Sequence, residues 1–292
     1  VVLGKRHMRR LVSLEKVSGW DDPRMPTMRG MRRRGFTPAA IRDFCRSLGV
    51  SNSGSPGEVE VARLDHYVRK ALNDIAPRDM AVLDPIKLVL ENYPEDQVDE
   101  LEVPNLPDDP SSGTRMRPFS REIYLERDDF MEDPPKKFHR LAPGKEVRLR
   151  YGYLVTCTEV VRDAEGKVTE LRGTCDMDSK GGNAPDGRKV RGTLHWVSAK
   201  HALPAEVRLF DPLFADSVAE FDGEEPIEKH LNPDSLVINR AAFVEPSLSD
   251  LQPGDLIQFE RVGYFSVDPD SKPGALVFNR VVGLRDTKFR KI

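Results

Sequence analysis

Between residues 136 and 150 the chain sets six basic groups against one acid, in Lys136-Lys-Phe-His-Arg140 and Lys145-Glu-Val-Arg-Leu-Arg150. Read as a strand, the second string puts Val147, Leu149 and Tyr151 on one face and Arg148 with Arg150 on the other. Two guanidiniums ~7 Å apart, beside a loop carrying His139 and Arg140, make a platform for unstacked bases and phosphates. The rival reading is an ordinary solvent face. Arg29, Arg32, Arg33 and Arg34 form a second cluster, on a short helix opening near Thr27. Arg29 and Arg33 stand four apart, where like charges repel by roughly 0.2–0.5 kcal/mol. A polyanion would relieve that cost through its phosphates, and so would pairing with Asp21 and Asp22. At the start, Gly4 precedes Lys5 and Arg6, a flexible loop whose cations could contact a triphosphate; a disordered tail is the alternative.

Other chemistries are excluded or weak. Gly182-Asn-Ala-Pro-Asp-Gly187-Arg188-Lys189 echoes a phosphate-binding loop, but it lacks the Gly-Lys-Ser/Thr ending and leads into a strand instead of a helix. A surface hairpin fits it better. Cys157, Cys175, His195 and His201 lack the close pairing of zinc ligands, so no metal site is expected.

The chain has 292 residues, room for two domains, and its 38% apolar content with 13 Phe can bury a real core. No apolar run approaches the ~18 residues of a membrane helix. Three scattered cysteines favour a reducing cytoplasm. The sequence opens VVLGKRHMRR without an initiator Met and reads as part of a longer polypeptide. A net charge of −3 predicts no polyanionic partner. Its distribution says otherwise: residues 1–50 hold 12 basic and 4 acidic groups, whereas residues 201–250 hold 3 and 11. Those later acids are expected on surfaces facing away from any RNA.

The elements that must position these groups come in two textures. Thr37-Pro38 is a helix start, Ile41, Phe44, Cys45 and Leu48 keep helical spacing, and Gly49 stops it. After a loop at Ser51–Gly57, Val61, Leu64, Val68, Leu72 and Ile75 stripe a second helix from about Val59, ended by Pro77. Short strand-like runs follow: Met80–Leu90, then, after a Pro-rich stretch, Arg121–Glu126, Glu146–Val161, Lys167–Cys175, Lys189–Ser198, Glu206–Phe210, Ser235–Arg240, Leu256–Val267 and Leu276–Leu284. The pattern predicts a multidomain α+β chain, a helical subdomain followed by one or two antiparallel β-barrels or sandwiches.

Gly19-Trp-Asp-Asp-Pro-Arg-Met-Pro-Thr27 and Arg29-Gly-Met-Arg-Arg-Arg-Gly35 resemble the segment after the signature lysine loop of class I glutaminyl- and glutamyl-tRNA synthetases. The resemblance continues, in order, through Ala76-Pro-Arg-Asp-Met-Ala-Val-Leu-Asp-Pro85, Gly144–Arg150, Asp186–Ser198 and Phe278–Asp286. The His195-Trp-Val-Ser198 block and His201–Asp211 are more similar to bacterial-type glutaminyl enzymes. The resemblance implies a C-terminal portion that begins at that loop. Residues 1–77 would end the catalytic domain and form the stem-contacting helical subdomain. Two antiparallel β-barrels would follow, residues 78–119 with 231–292 forming a proximal barrel and 120–230 a distal one.

By motif position, Arg78 would read the middle anticodon base, joined by Gln258 with Arg261 nearby. Arg140 would read the third base, and Arg148 with Arg150 would serve the first base and its phosphates. His139 stands where relatives often carry Lys, and Lys137 where Gln is common. Arg29, Arg32, Arg33 and Arg34 would meet the tRNA backbone. Lys5 would be the catalytic signature lysine, and Gly4, in place of the usual Ser, would contact ATP with Lys5 and Arg6. The implied partners of the whole enzyme are the glutamine tRNA, glutamine and ATP with Mg2+, none of the small ligands held firmly by this portion. No membrane is implied, and the enzyme would be a cytoplasmic monomer. The sequence contains no His-Ile-Gly-His-like motif or nucleotide-binding βαβ unit, so this portion alone is expected to be inactive. The alternatives are a glutamyl enzyme of archaeal or eukaryotic type, a non-catalytic RNA-binding β-barrel module, and a protein-interaction domain whose basic clusters pair with its own acids.

Overall fold

The structure, a computed structural model, describes residues 4–49, 61–214 and 226–285. The expected loop at Ser51–Gly57, the start of the second helix at Val59, and the acids of 215–225 lie outside the described residues. Four helices come first: α1 (Lys5–Ser13), α2 (Met28–Arg34), α3 (Pro38–Leu48) and α4 (Val61–Asn73). Their ends follow local chemistry. The Thr27 hydroxyl accepts from Gly30 N at 2.9 Å, and Thr37 accepts from Ala40 N at 3.2 Å with Pro38 in the first turn. Gly35 ends α2 at φ 103°, and a Cβ there would meet Ser266 Cβ at 2.6 Å, so glycine serves both the turn and the docking of α2 on the sheet. Phe36, Ala40, Val68 and Leu72 pack with Tyr264, Val281 and Val282, which fixes the helices against the strands.

The strands are β1 (Arg78–Asp79), β2 (Ala81–Val82), β3 (Pro85–Leu90), β4 (Asp99–Pro104), β5 (Thr114–Phe119), β6 (Glu122–Glu126), β7 (Glu146–Leu149) and β8 (Leu154–Arg162). Then follow β9 (Val168–Asp176), β10 (Thr193–Leu194), β11 (Val197–Ser198), β12 (Leu203–Phe210), β13 (Leu236–Val244), β14 (Leu256–Phe259), β15 (Gly263–Val267) and β16 (Leu276–Gly283). One seven-stranded sheet runs β1-β14-β15-β16-β12-β13-β2, the other β10-β7-β8-β9-β3-β6-β11. Each has its own core, the first around Phe259, Phe265 and Phe278, the second around Phe119, Tyr153 and Trp196.

Both sheets close by the same device. The two outer strands of the first, β1 and β2, are halves of one segment split at Met80. Those of the second, β10 and β11, are halves of one segment split at His195-Trp196. A single segment that supplies both edges curls the sheet round and leaves no long free edge. The two splits also meet, because Trp196 N donates to Met80 Sδ at 3.3 Å. This closure corrects the expectation of purely antiparallel barrels: β1/β14, β12/β16, β10/β7 and β3/β9 are parallel pairs. The chain passes between the two sheets. Strand β3, at 85–90, pairs with β6 and β9, while β12, at 203–210, pairs with β13 and β16. The hairpin β4/β5 was hidden by its prolines. It forms a separate two-stranded sheet, where Pro118 opposite Glu100 needs no further neighbour.

Candidate nucleic-acid interface

Arg78 and Gln258 come together. They are register partners across β1 and β14, and both are nearly buried. The Arg78 guanidinium donates to Ala76 O at 2.8 Å and to Asn73 O and Oδ1, each at 2.9 Å. Tyr264, opposite Gln258, donates to the same Asn73 Oδ1 at 3.2 Å. The α4 C-terminus therefore orients Arg78 at the wall of a cleft of about 170 Å³ lined by Asn73, Asp74, Leu106, Asp108 and Asp109. A fixed guanidinium beside carboxylates can donate to a base carbonyl while an acid accepts from its N–H.

Arg140 and Arg261 converge on one carboxylate. Arg261 is bidentate on the buried Asp129, at 2.5 and 2.9 Å, and its Nη1 lies 3.0 Å from His195 Nδ1. Arg140 Nη1 reaches Asp129 Oδ1 at 3.2 Å and donates to Asp128 O at 2.9 Å. Lys137 and His139 are exposed on the same loop, whose shape is held by Lys145 Nζ donating to Phe138 O at 2.5 Å.

Arg148 and Arg150 do not form the expected flat pair. Alternation holds through β7, with Val147 and Leu149 buried, but the chain turns at Tyr151, where φ is 61°. Arg148 Nε donates to Gly182 O, whereas Arg150 pairs with Glu260 and stacks over the Tyr151 ring at 4.8 Å. Burial pushes the Glu260 carboxyl up, although Arg150 opposes the shift.

The α2 cluster divides. Arg33 binds Asp268 through Nε and Nη2 at 3.0 Å and also reaches Asp270 and Asp21, and the hydrogen bond to buried Asp268 leads in raising its pKa. Arg34 donates to Val281 O at 3.2 Å and lies over Phe36 and Phe210. These two dock α2 on the first sheet, while Arg29 and Arg32 are exposed. Asp21 is thus one expected acid partner; Asp22 pairs with Arg24 instead. Gly4, Lys5 and Arg6 are exposed at the start of α1.

The residues that sequence reasoning missed are the buried ions behind this surface. Glu245 is buried and accepts from Met80 N and Arg117 Nη2, each at 2.6 Å, and from Arg115 at 3.1 Å. It is one of the acids of 201–250; Glu206 pairs with Arg208, and Glu228 pairs with Arg10 at the surface. Only the Arg115-Met-Arg117 alternation hinted at the partners. Burial opposes ionisation of Glu245, but Arg117 and Arg115 hold its pKa below the ordinary value. Its neighbour Asp79 goes the other way: burial first, then the Glu245 charge, push it up to about 6. An acid raised on folding favours the folded state at low pH, and that contribution is lost as pH rises through about 6. Asp79→Asn, neutral throughout, is therefore expected to gain urea-unfolding midpoint relative to the wild type between about pH 4.5 and about pH 8. A relative loss over that range would contradict the assignment.

Known proteins carry the same segments. Residues 76–176 and 193–268 match family models described as "tRNA synthetases class I (E and Q), anti-codon binding domain", and residues 1–74 match the catalytic-domain model of that class. The chain is 55% identical over 289 residues to a glutamine–tRNA ligase of Nitrobacter hamburgensis, covering 98% of the chain and 50% of that protein. It is 51% identical over 288 residues to the Clostridium kluyveri glutamine–tRNA ligase, covering 98% of the chain and 51% of the relative. With that of Bradyrhizobium diazoefficiens it shares 52% over 291 residues, 100% of the chain and 51% of the relative. The chain spans about half the length of the curated relatives it matches. Matches to both anticodon-binding models and to the catalytic-domain model of the same class, in order along the chain, place it in the class I tRNA synthetases of the E and Q type.

Proposed function

We propose that the chain is the tRNA-docking and anticodon-recognition portion of a cytoplasmic, monomeric glutamine–tRNA ligase, an enzyme that attaches glutamine to its tRNA using ATP. The observation that carries this is the pairing of Arg78 with Gln258 across β1 and β14, 180 positions apart in sequence, with Arg78 at the wall of a cleft. Similarity above 50% to three glutamine–tRNA ligases favours glutamine over glutamate. Arg78 and Gln258 serve the middle base with help from Arg261. Arg140 serves the third with Lys137 and His139, and Arg148 with Arg150 the first. Arg29 and Arg32 meet the backbone. A wrong base leaves a buried donor or acceptor unpaired, at ~1–3 kcal/mol.

The strand memberships support a proximal unit built on 78–82 and 203–283 and a distal unit on 85–198, with α1 to α4 as the helical subdomain toward the catalytic side. Gly4, Lys5 and Arg6, exposed at the opening of α1, suit the phosphates of ATP, whose Mg2+ would arrive on the nucleotide. The Lys5 charge would offset negative charge developing on those phosphates. Among the described residues no helix is long and apolar enough to cross a membrane. The test is aminoacylation. The chain alone should give no glutamine-dependent ATP–pyrophosphate exchange, and joined to the nucleotide-binding half of its protein it should charge tRNA with glutamine in preference to glutamate. Preference for glutamate would favour the glutamyl reading, and exchange by the chain alone would overturn the division of parts.

A further inference from the structure

Asp129 ends the short turn after β6, in the distal unit, yet its closest partner is Arg261 in the β14/β15 turn of the other sheet. Its side chain is 3% exposed, whereas those of Arg140 and Arg261 are 42% and 30% exposed. One buried carboxylate thus holds two guanidiniums that open to solvent. Buried charges persist only when they are paired and hydrogen bonded, and Asp129 meets that condition through these two arginines.

The geometry around Arg140 is over-determined. Asp128 O and Asp129 Oδ1 both take Nη1, and Asp129 O accepts from the neighbouring Leu141 N at 3.0 Å. Among the described residues Nη2 and Nε have no hydrogen-bond partner, which leaves a two-donor edge of the kind that reads a pair of acceptors on a base. On the other side, Arg261 adopts φ 66°, a left-handed backbone that costs a non-glycine residue of the order of 1 kcal/mol or more. The bidentate pair holds it there. Arg261 Nη1 has only hydrogens to offer, so His195 Nδ1 must accept and the ring proton sits on Nε2, which faces Glu126 Oε1 at 3.5 Å. Glu126 in turn accepts from Leu83 N at 2.6 Å and Asp84 N at 3.0 Å, between β2 of one sheet and β3 of the other.

We propose that Asp129 is a positioning residue for anticodon recognition: it sets Arg140 and Arg261 together, so discrimination at the third and middle anticodon bases is thermodynamically linked. The proposal rests on the anticodon roles assigned above. Groups that share one buried partner couple, and coupling of this kind is non-additive.

The test is equilibrium binding of the chain to the glutamine tRNA and to its three single-base anticodon variants, with Asp129→Asn beside the wild type. Asp129→Asn should lose about tenfold of its discrimination at both the middle and third positions. Discrimination at the first, served by Arg148 and Arg150, should be retained. A merely structural role would lower all three alike, and that result would overturn the proposal. Should Asp129→Asn fail to fold, Asp129→Glu keeps the charge while displacing both guanidiniums by a methylene, and the same pattern is expected of it. A wild type that discriminates, matched by variants that discriminate equally well, would overturn the Asp129 role alone. A wild type indifferent to the anticodon would overturn the anticodon reading and this role with it.

Discussion

Replacing Glu245 by Ala is expected to cost about 3–5 kcal/mol of folding stability, the penalty for removing one partner of a buried ion cluster. Arg117 is almost fully buried, with Glu245 as its ion-pair partner and the Tyr151 and Trp196 rings on its flanks. Without the carboxylate its charge would be stranded. The same carboxylate takes Met80 N, and Glu245 N donates to Met80 O at 3.2 Å, so both backbone groups at the seam of the first sheet end on one residue. Arg115 adds a link from Glu245 to Asp79 at 3.1 Å on β1, the strand that carries Arg78. A domain of ordinary stability, about 5–15 kcal/mol, would lose about a fifth of its total at the least. Urea unfolding should show a lower midpoint with a similar slope. Glu245→Gln, which keeps an acceptor for Met80 N, should recover only part of the loss. A cost below about 1 kcal/mol would mean that the cluster is screened by water and does not close the seam.

The second large effect is on recognition. Arg78→Ala should weaken binding of the correct tRNA by ~1–3 kcal/mol more than it weakens binding of an unrelated RNA. The guanidinium is held in one orientation by Asn73 and Ala76, so no ordering cost is left for complex formation, and its loss cannot be made good by a flexible neighbour. Equal losses on both RNAs would leave Arg78 a phosphate contact. The salt dependence separates the two roles, since a lost phosphate contact lowers the slope by about one.

What could be read from the sequence follows from distance along the chain. The caps at Thr27 and Thr37, the stop at Gly49 and the long strands are local, and each is where its own neighbours require it. The closing strands β1, β2, β10 and β11 are two residues each, too short for any periodicity. They exist because the sheets curl. The ion pairs Arg117–Glu245 and Arg33–Asp268 join residues 128 and 235 positions apart, which no local pattern encodes. The sequence offered a polyanion or Asp21 and Asp22 as partners for this cluster, and in the fold Arg33 and Arg34 serve as anchors. The alternation that paired Arg148 with Arg150 was sound through Leu149 and failed at Tyr151, a left-handed residue without a glycine to announce it. Motif resemblance pointed to Arg78, Gln258, Arg140 and Arg261. Only the structure shows Arg78 and Gln258 as register partners, and Arg140 with Arg261 on one carboxylate.

The central claim is that this surface reads an anticodon, and it is tested most directly by competition binding of the unaltered chain. The glutamine tRNA should displace, at equal salt, the same tRNA carrying a changed middle anticodon base, with a preference of about tenfold or more. Equal displacement by both tRNAs would contradict the claim and leave a generic, charge-driven RNA binder.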